Sequence, residues 1–194
     1  PFMLVNHLIF FGCWVLFYTI HSLLASNGFK SKIPLNQRAY RLVYSLFSTL
    51  SFAFILLLGA SIYSGFVLPP NPATTYFGLM IATFGLFVIK RSFRNYGLRV
   101  FLGLKKETSS DQTLKKDKLQ SKIRHPLYTG TILLFLGYFI YNPLLVNLIS
   151  LVALLAYLPF GIRLEEKKLI QQFGDEYLQY KKDIPALFPK IKFS

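Results

Sequence analysis

The sequence predicts an all-α integral membrane protein with five transmembrane helices, a C-terminal helical hairpin and cytoplasmic amphipathic helices. Its 194 residues are 53% hydrophobic and only 15% charged, whereas a soluble domain carries about a quarter charged residues. The apolar residues are gathered in blocks that approach the roughly 20 residues needed to cross a bilayer. A chain of this length usually makes one domain, so we expect a single domain over 1–194.

Five apolar blocks define the predicted spans. They lie at roughly 3–24, 43–63, 75–89, 126–141 and 144–162. We expect the first to be a retained helix, because it lacks the basic start and the cleavage site of a signal peptide. Asn142-Pro143 separates the last two, since proline disfavours helix in the residue before it. The segments 90–123 and 163–194 are polar and basic, which favours interfacial helices and exposed loops.

The distribution of charge predicts the orientation. The net charge is +14, and the basic residues lie between spans 1 and 2, between spans 3 and 4, and after span 5. The other two loops carry no charge. The positive-inside rule therefore places the N-terminus outside and the C-terminus in the cytoplasm. Anionic lipid headgroups account for the basic charge, so the lipid bilayer is the expected partner and nucleic acid is not.

Two polar clusters flank the last pair of spans. Their members are Arg124, His125, Tyr128, Arg163, Glu165 and Glu166. Because two short spans fold back on each other, both clusters must lie on the same side of the membrane. The sequence therefore predicts one polar pocket at the mouth of a helical hairpin.

The two clusters offer complementary charges to a ligand. Pro126 favours the first position of a helix, and the unpaired N–H groups at a helix N-terminus can bind a carboxylate. Adjacent helical residues point about 100° apart. One of Glu165 and Glu166 can then hold an ammonium group, while the other pairs with Arg163, Lys167 or Lys168. Such a pocket matches an amino acid zwitterion, although each cluster alone is also typical of an ordinary helix end.

Other classes of site have weaker support in the sequence. Zinc spacing of cysteine and histidine is missing, and neither a G-x-G-x-x-G motif nor a P-loop occurs; no metal site is expected. His7 and His21 lie in the first span, where a histidine is a site hypothesis by default. The simpler interpretation places His7 at the headgroup boundary and His21 at the other end of the helix.

These motifs resemble a known superfamily. RHPLYTG and EEKKLIQQFGDEYLQYKKDIPALFP resemble the isoprenylcysteine carboxyl methyltransferase and phospholipid methyltransferase superfamily. More narrowly, HSLLAS, RAYRLVYS, FLGL and GIRLEE resemble its NnrU and methanethiol S-methyltransferase branch. The resemblance implies a membrane-embedded methyltransferase that uses S-adenosyl-L-methionine, and the expected location is the bacterial cytoplasmic membrane.

The resemblance also implies the residues of the site. The cofactor would be lined by Gln112, Thr113, Leu114, Lys115, His125, Pro126, Leu127, Tyr128, Glu165 and Glu166. Arg124 or Arg163 could hold an anionic substrate, and His125 or His21 could accept a proton. Family members often have histidine where Gln112 stands, tyrosine where Gln120 stands and a substrate-binding arginine where Gly161 stands. Arg163 is a candidate to replace that arginine.

The sequence leaves three classes of methyl acceptor as alternatives. A small or lipophilic thiol is favoured by the narrower resemblance, and the alternatives are an isoprenylcysteine carboxylate and a lipid amine. In each case the acceptor attacks the sulfonium methyl directly, so that positioning and exclusion of water are the tasks of the protein. Two further classes are a membrane reductase that uses NADPH and a membrane protein without catalytic activity.

Overall fold

The computed structural model describes residues 2–106, 113–116 and 118–190. Eight α-helices and a short 3-10 helix at Lys118–Ser121 make up the regular structure of this part of the chain. The α-helices are α1 (Phe2–Ala25), α2 (Asn27–Lys30), α3 (Gln37–Ser61), α4 (Pro72–Tyr96), α5 (Leu98–Phe101), α6 (Pro126–Tyr141), α7 (Leu145–Phe173) and α8 (Asp175–Asp183). The prediction of an all-helical protein is confirmed for these residues.

Four helices, α1, α3, α4 and α7, are long and apolar enough to cross a membrane. Helix α6 is equally apolar but has 16 residues, which at 1.5 Å per residue span about 24 Å, less than the roughly 30 Å of a bilayer core. Many large apolar side chains of the long helices point outward, Leu57 among them. The chain is therefore a multi-pass membrane protein.

The hairpin of α6 and α7 follows the predicted turn. Helix α6 ends at Tyr141, Asn142 is its C-cap residue, and α7 begins at Leu145. The preceding loop supports the turn, because the N–H of Val67 donates to the carbonyl of Pro143 at 2.8 Å. The start of α6 and the C-terminal part of α7 accordingly lie on the same side of the molecule.

The predicted ends of two helices were wrong. Helix α4 continues past residue 89 to Tyr96, and α7 joins the predicted span at 144–162 to the predicted amphipathic helix that was expected to begin at Arg163. Charged residues are good helix formers, so the change in polarity does not end a helix. The helices end at Gly97 and Gly174, both of which adopt a positive φ, and glycine does so without steric cost.

The core of the bundle surrounds the single tryptophan. Trp14 of α1 is fully buried, and its indole N–H donates to the Ser150 hydroxyl of α7 at 3.0 Å. Phe52 of α3 and Phe135 of α6 pack edge-on against the same ring. One aromatic side chain thus joins four helices and satisfies its only polar atom within the apolar interior.

Helices α4 and α6 pack backbone against backbone. Gly78 faces Gly137, and Gly85 faces Gly130, across an antiparallel contact. A β-carbon at Gly137 would lie 2.7 Å from the carbonyl oxygen of Gly78 and closer still to the backbone nitrogen of Ala82. Small residues of this kind allow membrane helices to approach closely.

We expect Gly137→Ala to lower the free energy of unfolding by about 1–3 kcal/mol, the usual effect of overpacking a tight contact. The added methyl group meets backbone, which cannot move aside as a flexible side chain would. The measurement is the thermal unfolding midpoint of the purified protein in detergent. Gly12→Ala is the matched control, because nothing lies within 4 Å of its added β-carbon; equal midpoints for the two variants would contradict this packing.

Candidate functional site

The start of α6 carries the residues of the RHPLYTG motif. Pro126 occupies the first turn and His125 is the N-cap residue, as predicted. The first hydrogen bond of the helix is donated by the N–H of Thr129 to the carbonyl of His125 at 3.1 Å. The N–H groups of Leu127 and Tyr128 therefore precede the helical ladder and are the ones that α6 can offer to a ligand.

The imidazole of His125 joins α6 to both glutamates of α7. Its Nδ1 lies 3.5 Å from Glu165 Oε2, and its Nε2 lies 3.2 Å from Glu166 Oε1. Burial by itself lowers the pKa of His125, but hydrogen bonds and charge from the two carboxylates outweigh it and raise the pKa above its ordinary value. A protonated ring donates to both neighbours, so this histidine is suited to position the carboxylates.

This arrangement predicts a pH dependence of stability. Because the pKa of His125 is raised on folding, its contribution is complete below the ordinary pKa of about 6.5 and is lost as pH rises through the higher folded pKa. We expect the unfolding midpoint of the wild type to fall with rising pH more than that of His125→Gln. Parallel profiles for the two proteins would contradict the contribution of the imidazolium.

Glu166 is enclosed by cations. Its side chain is 6% exposed, and it binds Arg124 Nη2 at 2.6 Å and Lys181 Nζ at 2.6 Å. Arg124 Nε donates to the same carboxylate at 3.0 Å. With His125 as a third partner, the charge of Glu166 is compensated within the protein, and its two oxygens are engaged by residues of two segments, Arg124 and His125 before α6 and Lys181 on α8.

Arg124 also fixes the segment that follows α8, which we call the tail segment (residues 184–187). The guanidinium of Arg124 donates to the carbonyl of Lys181 at 3.2 Å and to the carbonyl of Ile184. Its backbone N–H donates to Pro185 at 2.9 Å. The same pattern continues along α6, where the Thr129 hydroxyl donates to the carbonyl of Leu187 at 2.6 Å. The tail segment thus covers the start of the short helix α6.

Glu165 has a different environment from its neighbour. Its side chain is 44% exposed, it interacts with the hydroxyl of Tyr128 as well as with His125, and it faces a cavity of about 410 Å³. The cavity lies at the ends of α1, α3 and α7. Its lining residues are Leu24, Ala25, Lys30, Tyr40, Arg41, Tyr44, Val100, Phe101, Glu165 and Lys168.

Residues from all four motifs of the narrower resemblance line the cavity. HSLLAS contributes Leu24 and Ala25, RAYRLVYS contributes Tyr40, Arg41 and Tyr44, FLGL contributes Phe101, and GIRLEE contributes Glu165. These segments are distant in the chain, so only the fold brings them together. They supply aromatic rings, the guanidinium of Arg41 and the carboxylate of Glu165.

The backbone of the FLGL motif requires glycine at position 103. Gly103 has a φ of +77°, and a β-carbon there would lie 2.8 Å from Cβ of Arg41. Arg38 Nε donates to the carbonyl of Gly103 at 3.4 Å. Contact of this loop with α3 places Phe101 against the cavity.

The other predicted site residues are placed as follows. Pro126 is buried and Leu127 is partly buried in the first turn of α6. Arg163 is exposed on α7 and takes no part in the contacts that hold the cluster. Thr113 accepts a hydrogen bond from Lys115 at 3.2 Å, and Leu114 between them is partly buried. Gln112 lies outside the described residues.

The two histidines of α1 contact neighbouring segments: His7 contacts the loop after α3, and His21 contacts α3. His7 Nε2 lies 3.1 Å from the Ser64 hydroxyl, at the end opposite to the cavity. His21 Nδ1 lies 3.2 Å from the Ser48 hydroxyl, and its ring also contacts the hydroxyl of Tyr44. Since Tyr44 lines the cavity, His21 supports one wall from behind.

Sequence reasoning missed two groups of residues. Lys181 of α8 binds Glu166, and Thr129 of α6 binds the carbonyl of Leu187; local sequence patterns do not reveal either contact, because the partners are distant in the chain. Lys30, Arg41 and Lys168 were interpreted as loop or helix-surface cations, and they line the cavity instead. The motif RAYRLVYS was the available signal, because two aromatic residues and a cation recur there at helical spacing.

Comparison with known proteins places these features in a family. A family model described as NnrU protein matches residues 9–187. The chain is 30% identical over 188 residues to methanethiol S-methyltransferase 1 of Bradyrhizobium diazoefficiens, covering 90% of this chain and 64% of that protein. It is 34% identical over 119 residues to the protein-S-isoprenylcysteine O-methyltransferase of Xenopus laevis, covering 59% of this chain and 40% of that protein.

A third relative, the methanethiol S-methyltransferase of Crocosphaera subtropica, is 30% identical over 117 residues, covering 59% of this chain and 44% of that protein. The chain therefore spans less than two thirds of the length of these curated relatives. The family match, in contrast, extends over most of this chain and includes every residue that lines the cavity. The chain belongs to the NnrU protein family.

Proposed function

We propose that this protein is a membrane-embedded methyltransferase that uses S-adenosyl-L-methionine, with its active site in the cavity beside Glu165. One observation carries the proposal: of two adjacent glutamates, Glu166 is compensated by Arg124 and Lys181, while Glu165 faces the cavity. The methyltransferase names of the relatives support the same conclusion.

The available donors and acceptors fit the amino acid end of the cofactor. Glu165 would hold the ammonium group, because His125 and Tyr128 already fix the orientation of its carboxylate. The N–H groups of Leu127 and Tyr128, at the positive end of the α6 dipole, would hold the carboxylate. Tyr40, Tyr44 and Phe101 offer apolar surface to the remainder.

When bound, the cofactor would supply a methyl group activated by its sulfonium: an acceptor lone pair would form a bond to the methyl carbon while the carbon–sulfur bond breaks and the neutral thioether leaves. The residues of the chain then have to orient the two reactants and exclude water, and good orientation lowers a barrier by several kcal/mol. His125 holds Glu165 in place, and Arg124 acts as a positioning residue through Glu166 and the tail segment. Both roles differ from the direct substrate contacts that the sequence suggested.

Among acceptors, the geometry supports a thiol more than an isoprenylcysteine carboxylate. Gly161, where the resemblance implies a substrate-binding arginine, is buried, and a β-carbon there would lie 3.0 Å from the ring of Tyr157. Arg163 is exposed and is not among the residues that line the cavity. The isoprenylcysteine class stays as the alternative, because one of the relatives carries that activity in its name.

A radiolabelled methyl transfer assay tests the proposal. The purified 194-residue chain in lipid nanodiscs would be incubated with labelled S-adenosyl-L-methionine and a panel of alkylthiols, prenylcysteines and amino lipids. We expect transfer to thiols, with less or none to amino lipids. Absence of transfer to all three classes would contradict the proposed activity.

The proposal includes an orientation in the bacterial cytoplasmic membrane, with the cavity on the cytoplasmic side. In a Cys13→Ser background, Ala73→Cys at the start of α4 should react with an impermeant maleimide added to intact cells. Lys32→Cys, at the opposite end of the bundle, should react only after permeabilisation. Both positions are exposed and neither caps a helix. The reverse pattern of labelling would invert the topology.

A further inference from the structure

A second cavity lies among the membrane-spanning helices, away from Glu165. Its volume is about 470 Å³, and residues of α1, α3, α6 and α7 line it, Phe10, Phe135 and Ser150 among them. Of the residues that the structure describes, none that lines this cavity carries a charge. A space of this size and lining suits an alkyl chain, since burying an unpaired ionic group there would be costly. We call it the apolar cavity.

Three stacked aromatic side chains connect the edge of the apolar cavity to the part of α7 near Glu165. The ring of Trp14 stacks on Tyr18 with centroids 5.5 Å apart, and Tyr18 stacks on Tyr157 of α7 with centroids 4.3 Å apart. At one end, the Trp14 N–H donates to Ser150, which lines the apolar cavity. At the other end, the charge of Glu165 acts on the Tyr157 hydroxyl. We call Trp14, Tyr18 and Tyr157 the aromatic column.

The spacing of residues along α7 places the aromatic column between the two cavities. Ser150, Tyr157 and Glu165 follow one another at intervals of seven and eight residues, about two helical turns each, so they share one face of α7. Tyr157 therefore lies about 10 Å along the helix axis from Ser150 and about 12 Å from Glu165. Ser150 lines the apolar cavity and Glu165 lines the other. The rings of the column thus occupy the path from one cavity to the other.

Burial, stacking and a hydrogen bond hold the aromatic column in place. Trp14 is 0% exposed and Tyr18 is 9% exposed, and the planes of the two tyrosine rings differ by only 8°. The hydroxyl of Tyr157 is hydrogen-bonded to that of Ser22 in α1 at 2.8 Å. Stacked rings stabilise each other beyond the area that they bury, so the closed arrangement is favoured.

The cavity beside Glu165 has a volume of about 410 Å³, near the lower end of the roughly 300–1,000 Å³ of ligand sites. It would have to hold the cofactor and the acceptor together. We infer that the aromatic column limits the methyl acceptor to a short-chain thiol, because it closes off the apolar space that a longer alkyl chain would enter. This inference rests on the proposed function for the word acceptor, whereas closure of the path between the cavities does not.

The first test compares propanethiol with octanethiol as methyl acceptors. The ratio of their kcat/KM values would be measured for the wild type, Tyr157→Ala and Tyr157→Phe in the same phosphatidylcholine nanodiscs, so that partition of each thiol into the bilayer is equal for all three proteins. We expect Tyr157→Ala to raise the ratio of octanethiol to propanethiol at least about tenfold, since the fit of a single methylene in an apolar pocket already has an effect of this size. Tyr157→Phe keeps the ring and should keep the ratio. An unchanged ratio in Tyr157→Ala would overturn the inference.

Fluorescence of Trp14 tests the closure without methyl transfer. Trp14 is the one tryptophan of the chain, and bromine quenches tryptophan fluorescence at short range. In the presence of the demethylated cofactor, 8-bromooctanethiol should quench Trp14 more strongly in Tyr157→Ala than in the wild type or Tyr157→Phe, which share the same background from thiol dissolved in the bilayer. Equal quenching of the three proteins would contradict a closed column.

The two measurements separate this inference from the proposed function. If none of the three proteins methylates propanethiol, the proposed function fails, and quenching still decides whether the column is closed. If all three methylate propanethiol but neither the ratio nor the quenching changes, only the role of the column fails. Tyr18→Ala, which removes the middle ring of the column from α1, should give the same two results as Tyr157→Ala and replaces it if that variant does not fold.

Discussion

Replacing Glu165 with glutamine is expected to weaken binding of S-adenosyl-L-methionine by about 10- to 100-fold. The substitution keeps the shape of the side chain but removes its charge, and a hydrogen bond to a charged group contributes about 1.5–3 kcal/mol. The folded structure should persist, because this side chain is 44% exposed and does not belong to the ion pairs that hold the tail segment. Titration calorimetry in detergent measures the affinity.

Glu176→Gln provides the control for Glu165→Gln. Glu176 pairs with Lys116 on the surface of α8, and an exposed pair of this kind contributes about 0–1 kcal/mol. Its loss should leave cofactor affinity unchanged. If Glu165→Gln binds the cofactor as tightly as the control does, then the carboxylate that faces the cavity is not the ammonium site.

Replacing Arg124 with alanine is expected to produce the largest loss of stability, about 3–5 kcal/mol. The substitution breaks the buried ion pair of Glu166 with Arg124 and leaves Lys181 and His125 as the remaining partners of that carboxylate. Removing one partner of a buried ion pair is strongly destabilising. It also removes the donors to Lys181 and Ile184. A loss of this size is a large part of the roughly 5–15 kcal/mol that stabilises a typical protein.

The stability of Arg124→Ala would be measured by thermal unfolding, together with hydrogen exchange of the tail segment. Arg163→Ala is the matched control, since this arginine is exposed on α7. We expect it to change the unfolding midpoint little and the exchange not at all. If Arg124→Ala unfolds like the control but loses only turnover, Arg124 contacts substrate, and its assignment as a positioning residue is incorrect.

Much of the fold could be predicted because the bilayer restricts the structures available to the chain. Every backbone group within hydrocarbon must be hydrogen-bonded internally, so apolar blocks of sufficient length become helices. Asn142-Pro143 and the Pro126 start of α6 were predictable from local backbone chemistry. The C-terminal end of α7 was not predictable, because no local sequence signal distinguishes a helix that continues out of the membrane from one that ends at its surface.

The sequence predicted which residues lie at the site better than it predicted the role of each residue. The hairpin brings His125, Tyr128 and Glu165 together, as the sequence indicated. Which glutamate faces the cavity depends on Lys181 and on the tail segment, which bind Glu166 and Arg124 through contacts between distant parts of the chain. Backbone carbonyls of the tail segment are acceptors in any sequence, so no side-chain pattern could reveal them.

The most direct test of the central claim is titration of the wild-type protein with S-adenosyl-L-methionine and, separately, with NADPH. A site that pairs Glu165 with the start of α6 should bind S-adenosyl-L-methionine in a one-to-one ratio, be blocked by the demethylated product, and give no heat with NADPH. Binding of NADPH alone would indicate a reductase. Binding of neither nucleotide would contradict a methyltransferase site in this cavity.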